Sequence, residues 1–329
     1  MLINNGSLRF IADQLREARR VLLSTHIHPD GDAIGSLLGL GRALQDAGKE
    51  VHMVLDDNIP PNLKFLPGCD QIYRQLEGSF DVVLVVDCSD LERLGEALKG
   101  IRVPDVNIDH HATNQNFARF NLVDTQAVAT TEIIADLLPE MGLSLTQPVA
   151  IALLTGLITD TIGFRTANMT PKALRLAASL METGVNMPEL YRRVLVIRSF
   201  EAVRMWGIGL NKMERNGRMI WTTLTLADRE SACYPGRDDA DLINILTIAD
   251  GIDIALIFLE QTNGLVKVSW RAQPGYDVSQ VALHFGGGGH PAASGAEIQG
   301  SLQEVQAAVL NRTRPLLEGG FDVQQQPIS

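Results

Sequence analysis

Cysteine, positive charge and long apolar runs are all scarce in this chain of 329 residues, and each scarcity narrows what it can be. Its three cysteines, Cys69, Cys88 and Cys233, share no metal-type spacing, and an odd number argues against a disulfide framework. The longest apolar stretches, such as Val149 to Ile158, fall far short of a membrane span. The start, MLINNGSLRFIADQLREARR, is polar and amphipathic, without a secretory apolar core. Lys and Arg number 28 against 39 Asp and Glu, so the net charge is −11 and no basic face is expected to track a long duplex. A small anionic substrate stays open, because bound divalent cations would dominate the local field. Low-complexity tracts and internal repeats are missing too. A cytoplasmic protein, not bound to membrane, is the expectation.

The length suffices for two domains with real cores. In the first half, apolar runs alternate with helical patterns. Val21 to Ser24, Val51 to Leu55, Val82 to Val86 and Val103 to Ile108 read as buried strands. Ala33 to Leu44, Thr131 to Leu138, Pro148 to Thr159 and Pro171 to Thr183 read as helices. That alternation predicts an α/β domain, residues 1–189, with a mostly parallel sheet and helices on both faces. Residues 190–214 read as a connector helix. Residues 215–329 read as a smaller α+β domain, with strands at Met219 to Leu226, Ile254 to Leu259 and Leu265 to Arg271, and helices around Ala240 to Ile248 and Leu302 to Leu316. Thr262-Asn263-Gly264 suggests a hairpin turn. The tail Val323 to Ser329 is expected to be disordered.

Side chains that bind metals follow the apolar strands. Residues 26–32 read HIHPDGD; Val82 to Val86 runs into Asp87, and Val106 to Ile108 into Asp109-His110-His111. Ligands of an open parallel sheet gather beyond the carboxyl ends of its strands, so these groups should converge on one edge. Asp160, ending an apolar helical run, could lean over the same edge. Taken singly, Asp30-Gly31-Asp32 is an ordinary turn and helix cap, and Asp87 an ordinary loop starter. Their conjunction points to metal. Carboxylates and imidazoles without thiolates suit Mn²⁺ or Mg²⁺, and six or seven of them exceed the needs of one ion. Two ions sharing a carboxylate suit phosphoryl chemistry. His28 is expected to support the ligands without joining them, His52 to be structural, and Cys88 to be a buried small residue.

Four glycines, Gly286 to Gly289, precede His290. Consecutive glycines permit positive φ or close backbone approach, and their N–H groups can form an anion-binding nest; a plain flexible loop is the alternative. Arg271, at a strand end, offers a bidentate fork for a terminal phosphate.

These stretches, with Asp87-Cys-Ser, Asp109-His110-His111-Ala-Thr-Asn114, Thr155-Gly-Leu-Ile-Thr-Asp160 and Ser269-Trp-Arg271, resemble the DHH phosphoesterase superfamily over nearly the whole chain. Length and the GGGGH segment are most similar to its NrnA-type oligoribonuclease and pAp phosphatase group. The resemblance implies a catalytic domain, a DHH-associated substrate-binding domain and an active site in the cleft between them. It implies that His26 and Asp30 bind one ion, Asp32, His110 and Asp160 the other, and that Asp87 bridges them. Of the expected catalytic residues Asp87, Asp109 and His111, His111 would sit beside the scissile phosphate. Asn114, Arg271, Gly287, Gly288, Gly289 and His290 would bind substrate. The sequence departs at His28, where the family often has Asn, and at Ser294, which interrupts the usual Ala-Ala-Gly.

The function so implied is two-metal hydrolysis of oligonucleotides of two to five nucleotides to mononucleotides, of pAp to AMP, or of both. Mn²⁺ is the expected ion, with Mg²⁺ or Co²⁺ as substitutes. Partners are short single strands or nucleotide phosphates, with a homodimer allowed. Rivals are a phosphodiesterase for cyclic dinucleotides or linear pApA and pGpG, a RecJ-like exonuclease, an inorganic pyrophosphatase and a non-catalytic nucleotide-binding regulator.

Overall fold

The computed structural model describes residues 5–101 and 103–318, in two compact units that divide between Ile197 and Arg198. The tail Val323 to Ser329 lies outside those residues. The first unit begins α1 (Asn5–Glu17), β1 (Arg20–Ser24), α2 (Gly31–Asp46), β2 (Glu50–Val54), β3 (Ile72–Tyr73), β4 (Val82–Val86), β5 (Val106–Asp109) and β6 (Phe120–Val123). It continues with α3 (Thr130–Glu140), α4 (Gln147–Asp160), α5 (Pro171–Glu182) and α6 (Met187–Tyr191).

Its strands pair in the order β3-β2-β1-β4-β5-β6, all parallel. Central β4 reads VVLVV and is buried throughout, as a parallel strand covered on both faces must be. Strand order reverses between β1 and β4. A crevice opens beyond the carboxyl ends of such a pair, and there β1 runs on toward His26 and β4 delivers Asp87.

One face of the sheet, through Val21, Leu23, Leu84 and Val86, meets the helices in a single large core. The other face, through Leu22, Val83 and Val85, packs on Leu94, Ala97 and Leu98 of irregular chain. Helices were expected on both faces, but the 3₁₀ turn Glu92–Leu94 does not grow into one. Gly95 follows it at φ 57°, tight against Asp56, and a left-handed residue ends a helix.

Helices α2 and α4 meet backbone to backbone. Gly31, Gly35 and Gly39, four residues apart, form a stripe along α2. A Cβ on them would lie 2.2 Å from Thr159 Oγ1, 2.5 Å from the Ala152 carbonyl and 2.6 Å from Leu153 Cδ2. The helices therefore run antiparallel, and the start of α2 meets the end of α4.

The expected connector over 190–214 is not one helix. After α6 come a π-helical turn at Arg192–Val196 and an extended Ile197, then α7 (Phe200–Asn211) and β7 (Glu214–Asn216). Val194, Val196 and Ile197 are β-branched and poor helix formers, and Ser199 restarts the helix by accepting from the Ala202 N–H at 3.1 Å.

The second unit goes on with β8 (Met219–Leu224), α8 (Leu226–Ala232), α9 (Leu242–Leu246), β9 (Ile254–Glu260), β10 (Leu265–Ala272), α10 (Ser279–His284), β11 (Gly288–His290), β12 (Ala293–Gln299) and α11 (Leu302–Glu318). Its sheet order is β11-β12-β10-β9-β8-β7, antiparallel except between β8 and β9. The expected hairpin joins β9 to β10, with Asn263 at φ 67° in its turn.

Gly35→Ala should destabilise the chain by about 1–3 kcal/mol, the range for overpacking a tight core. Gly207→Ala, in α7 with nothing within 4 Å of the new Cβ, should stabilise by about 0.5–1 kcal/mol. Urea unfolding of both variants checks the pair; equal effects would refute the close helix contact.

Candidate metal centre

His26 follows β1 and is 3% exposed. Its Nδ1 donates to the Ile27 carbonyl at 2.7 Å, which turns Nε2 toward Asp87 Oδ2 at 3.6 Å. Asp30 caps α2, one carboxylate oxygen accepting from the N–H groups of Asp32 and Ala33 at 3.0 Å each. The ordinary capping role is therefore real. It also orients the carboxylate. Asp32, in the first turn, accepts from the Thr130 N–H at 2.6 Å and the Thr131 N–H at 3.1 Å.

Asp87 sits where β4 leaves the sheet, with φ 53°, a left-handed backbone that costs a non-glycine residue strain. Its carboxylate accepts from the Thr130 hydroxyl at 2.8 Å. His110 Nε2 lies 3.8 Å from Asp87 and 3.6 Å from Asp160. Asp109 ends β5 and is buried; its carboxylate accepts from His111 Nδ1 at 2.7 Å and from the Asn114 amide at 2.6 Å.

Among the described residues three ligand groupings result, each with donor atoms within 4.8 Å of one another: His26, Asp30 and Asp87; Asp32, His110 and Asp160; Asp87, His110 and His111. Asp87 belongs to two of them. All donors are oxygen or nitrogen. Cys88 is buried, its thiol pushed up to about 12 by that burial, so it stays protonated and offers no thiolate.

The charges are poorly balanced. Burial, then repulsion from Asp87, pushes Asp32 up to about 7. Burial and the charges of Asp32, Asp30 and Asp87 push Asp160 well above the carboxylate range. For Asp87 burial acts upward too, but the neighbouring His26 and the charges of the His111 and His110 imidazoles outweigh it and hold it low. Burial works against protonating His26, His110 and His111, yet the surrounding carboxylates raise all three. Hard oxygen donors that repel one another, from buried Asp32 and Asp87 to exposed Asp30, with imidazoles among them, fit divalent cations.

Some expected residues lie elsewhere. His28 turns out at φ 54°, its side chain 86% exposed beside Asp57, so it has no part in supporting the ligands. Asn114, expected to meet substrate, spends its amide on Asp109 and on Asn107, the latter at 2.7 Å. His52 stacks on Tyr73 with ring centroids 4.5 Å apart.

In the second unit, Gly288 to His290 form an edge strand where an anion nest was expected. A Cβ on Gly287 would lie 2.1 Å from the Gly295 carbonyl, and Gly289 adopts φ 135°, so these glycines let the edge strand close on β12. His290 and Arg271 flank Ala293 on one rung of the sheet and so share a face. Arg271 donates to Asn244 at 3.3 Å and to the Trp270 carbonyl at 3.0 Å; burial pulls its pKa down against the charges of Asp239 and Asp241. Thr130 and Thr131 were missed. Their signal was a helix start, Ala129-Thr130-Thr131, whose N-cap alanine has no side-chain acceptor.

Residues 20–157 match the family model described as the DHH family, N-terminal domain, and residues 238–314 match the DHHA1 domain. The chain is 35% identical to the bifunctional oligoribonuclease and PAP phosphatase NrnA of Thermus thermophilus, over 93% of each sequence. It is 27% identical to the protein of the same name from Bacillus subtilis, over 84% of this chain and 89% of that one. The solved structure of an exopolyphosphatase-related protein from Bacteroides fragilis superposes with a TM-score of 0.89 at 25% identity, covering 96% of this chain and 99% of that one.

Acids with raised pKa values keep protons in the folded chain that the unfolded chain gives up, so folding stability falls as pH rises through their window. For Asp32 that window runs from about 4 to about 7. The raised histidines add to the loss in the same direction above their ordinary value of 6.5. The melting temperature of metal-free protein should therefore decline between pH 5 and pH 8, and Mn²⁺ should restore more at pH 8 than at pH 5. Asp160→Asn should raise the metal-free melting temperature at pH 8 and blunt the response to Mn²⁺. A flat metal-free profile would contradict the charge imbalance.

Proposed function

This chain belongs to the DHH phosphoesterase family, and from that premise we propose that it hydrolyses oligonucleotides of two to five nucleotides to mononucleotides and pAp to AMP. The one observation that carries the reading is the Asp87 carboxylate, which belongs both to the His26–Asp30 grouping and to a His110 grouping. Such sharing is what a pair of ions a few ångströms apart requires. The relatives named as oligoribonuclease and PAP phosphatase support the choice of substrates. A cytoplasmic location accords with substrates left by RNA turnover.

In this reading His26 and Asp30 hold one divalent cation, Asp32, His110 and Asp160 hold the other, and Asp87 holds both. Mn²⁺ is the ion we assign, with Mg²⁺ or Co²⁺ as substitutes. When bound, the cations supply charge neutralisation at the phosphoryl group and a more acidic water.

The protein's own groups do the rest. Asp109 accepts from His111 Nδ1, which fixes the ring and favours its protonated form, so the imidazolium places positive charge beside the scissile phosphate and can give a proton to the leaving oxygen. Asn114 braces Asp109 from the far side, holding that acid in line. Arg271 and His290 hold the terminal phosphate or base of the substrate, the guanidinium preset by Asn244.

A Mn²⁺ assay over pAp, pApA, a five-nucleotide RNA, a long single strand and cyclic di-AMP should show turnover of the first three and little of the last two. Preference for the long strand or the cyclic dinucleotide would replace this reading. Asp87→Asn should lower kcat by at least about 10²–10³-fold, the scale of losing a charge-stabilising group, with circular dichroism unchanged. Arg271→Ala should act mainly on KM, by roughly 10- to 100-fold, the scale of a hydrogen bond to a charged group.

A further inference from the structure

Helix α3 starts without a cap of its own, since Ala129 has no side-chain acceptor. The carboxylate of Asp32 fills that place from another helix, taking the N–H groups of Thr130 and Thr131. Thr130 does a second thing. Its hydroxyl donates to Asp87 Oδ1 at 2.8 Å, the carboxylate oxygen accepting. Thr130, Asp32 and Asp87 are all at most 1% exposed, so water does not compete for these bonds. The imidazoles around Asp87 stand farther off, at 3.6 to 3.8 Å.

We infer that Thr130 is a positioning residue that clamps Asp32 through its backbone and Asp87 through its hydroxyl, setting the spacing at which the shared carboxylate can serve both ligand groupings. The inference rests on the two-cation reading above. The backbone at Asp87 also takes a left-handed conformation. With φ 53° the residue is held by its surroundings, not by its own preference, and the hydroxyl fixes which way the carboxylate faces. A hydrophobic isostere would leave the Asp32 bonds in place, because those use the backbone. It would release Asp87 alone.

The test is Mn²⁺ titration of metal-free parent, Thr130→Val, Thr130→Ala and Thr130→Ser, read by calorimetry and by the low-temperature electron paramagnetic resonance signal of an exchange-coupled Mn²⁺ pair. Circular dichroism first establishes that each chain folds; Thr130→Ala adds no bulk and carries the test where valine does not fit. The parent and Thr130→Ser should bind two ions and give the coupled signal. Thr130→Val and Thr130→Ala should bind one of the two ions about 10- to 100-fold more weakly, the usual cost of losing a group that orients a ligand, and show isolated-ion spectra at stoichiometric loading. Parent-like affinity and coupling in the variants lacking the hydroxyl would overturn the inference, as would a Thr130→Ser chain as impaired as Thr130→Val. A parent without any coupled pair would instead overturn the two-cation reading, and that is seen before a variant is measured.

Discussion

Two helices that touch through their backbones bring the acids of this site together. Gly31, Gly35 and Gly39 strip one face of α2 of side chains, and Ala152, Gly156 and Thr159 of α4 fill the space. Glycine inside a helix costs about 0.5–1 kcal/mol of stability relative to alanine, so a stripe of three is a burden unless the contact offsets it. The contact does more than pack. It sets the first turn of α2, with Asp32, beside the last turn of α4, with Asp160. Gly156 lets a third helix in: a Cβ there would lie 2.4 Å from Thr131 Cγ2 and 2.5 Å from Asp32 Oδ1. The starts of α2 and α3 and the end of α4 thus meet around one carboxylate.

That meeting is unfavourable by itself. Buried acids repel, and a buried charge without compensation is among the costliest features a fold can carry. Partial relief comes from the start of α3, whose N–H groups donate to Asp32, and from the three imidazoles. A bound metal ion would relieve the rest, so metal affinity and folding stability would be coupled through the same charges. The surrounding hydrogen bonds hold the cluster's side chains in place: Ile27 holds His26, Asp109 holds His111, Asn114 holds Asp109 and Thr130 holds Asp87.

The second unit holds Arg271 by bonds from its side chain to Asn244 and to the Trp270 carbonyl. Arg271 and His290 share a sheet face because antiparallel partners at one rung point the same way. Glycines around the edge strand allow β11 to lie close on β12, where any side chain on Gly287 would strike the Gly295 carbonyl. Their service is steric, and the rung is its result.

Much was legible in the residues themselves. Strands β1, β2, β4, β5, β9 and β10 announce themselves as β-branched and leucine runs, and the helices from α2 to α5 by their 3.6-residue spacing. Strands β6 and β12 did not, since FNLV is short and ASGAEIQ is built of small residues with no β-branched run. The break at Ile197 was hidden because helical polarity continues across it, while the β-branched residues that stop the helix weigh only a few tenths of a kcal/mol each. Sequence alone determined which side chains could be ligands, because His and Asp at strand ends face the one crevice a parallel sheet leaves open. Tertiary structure alone decided which of them meet. Asp32 finds Thr130 and His28 turns out to Asp57 through contacts between segments far apart in the chain, and no local pattern encodes a distance across the core.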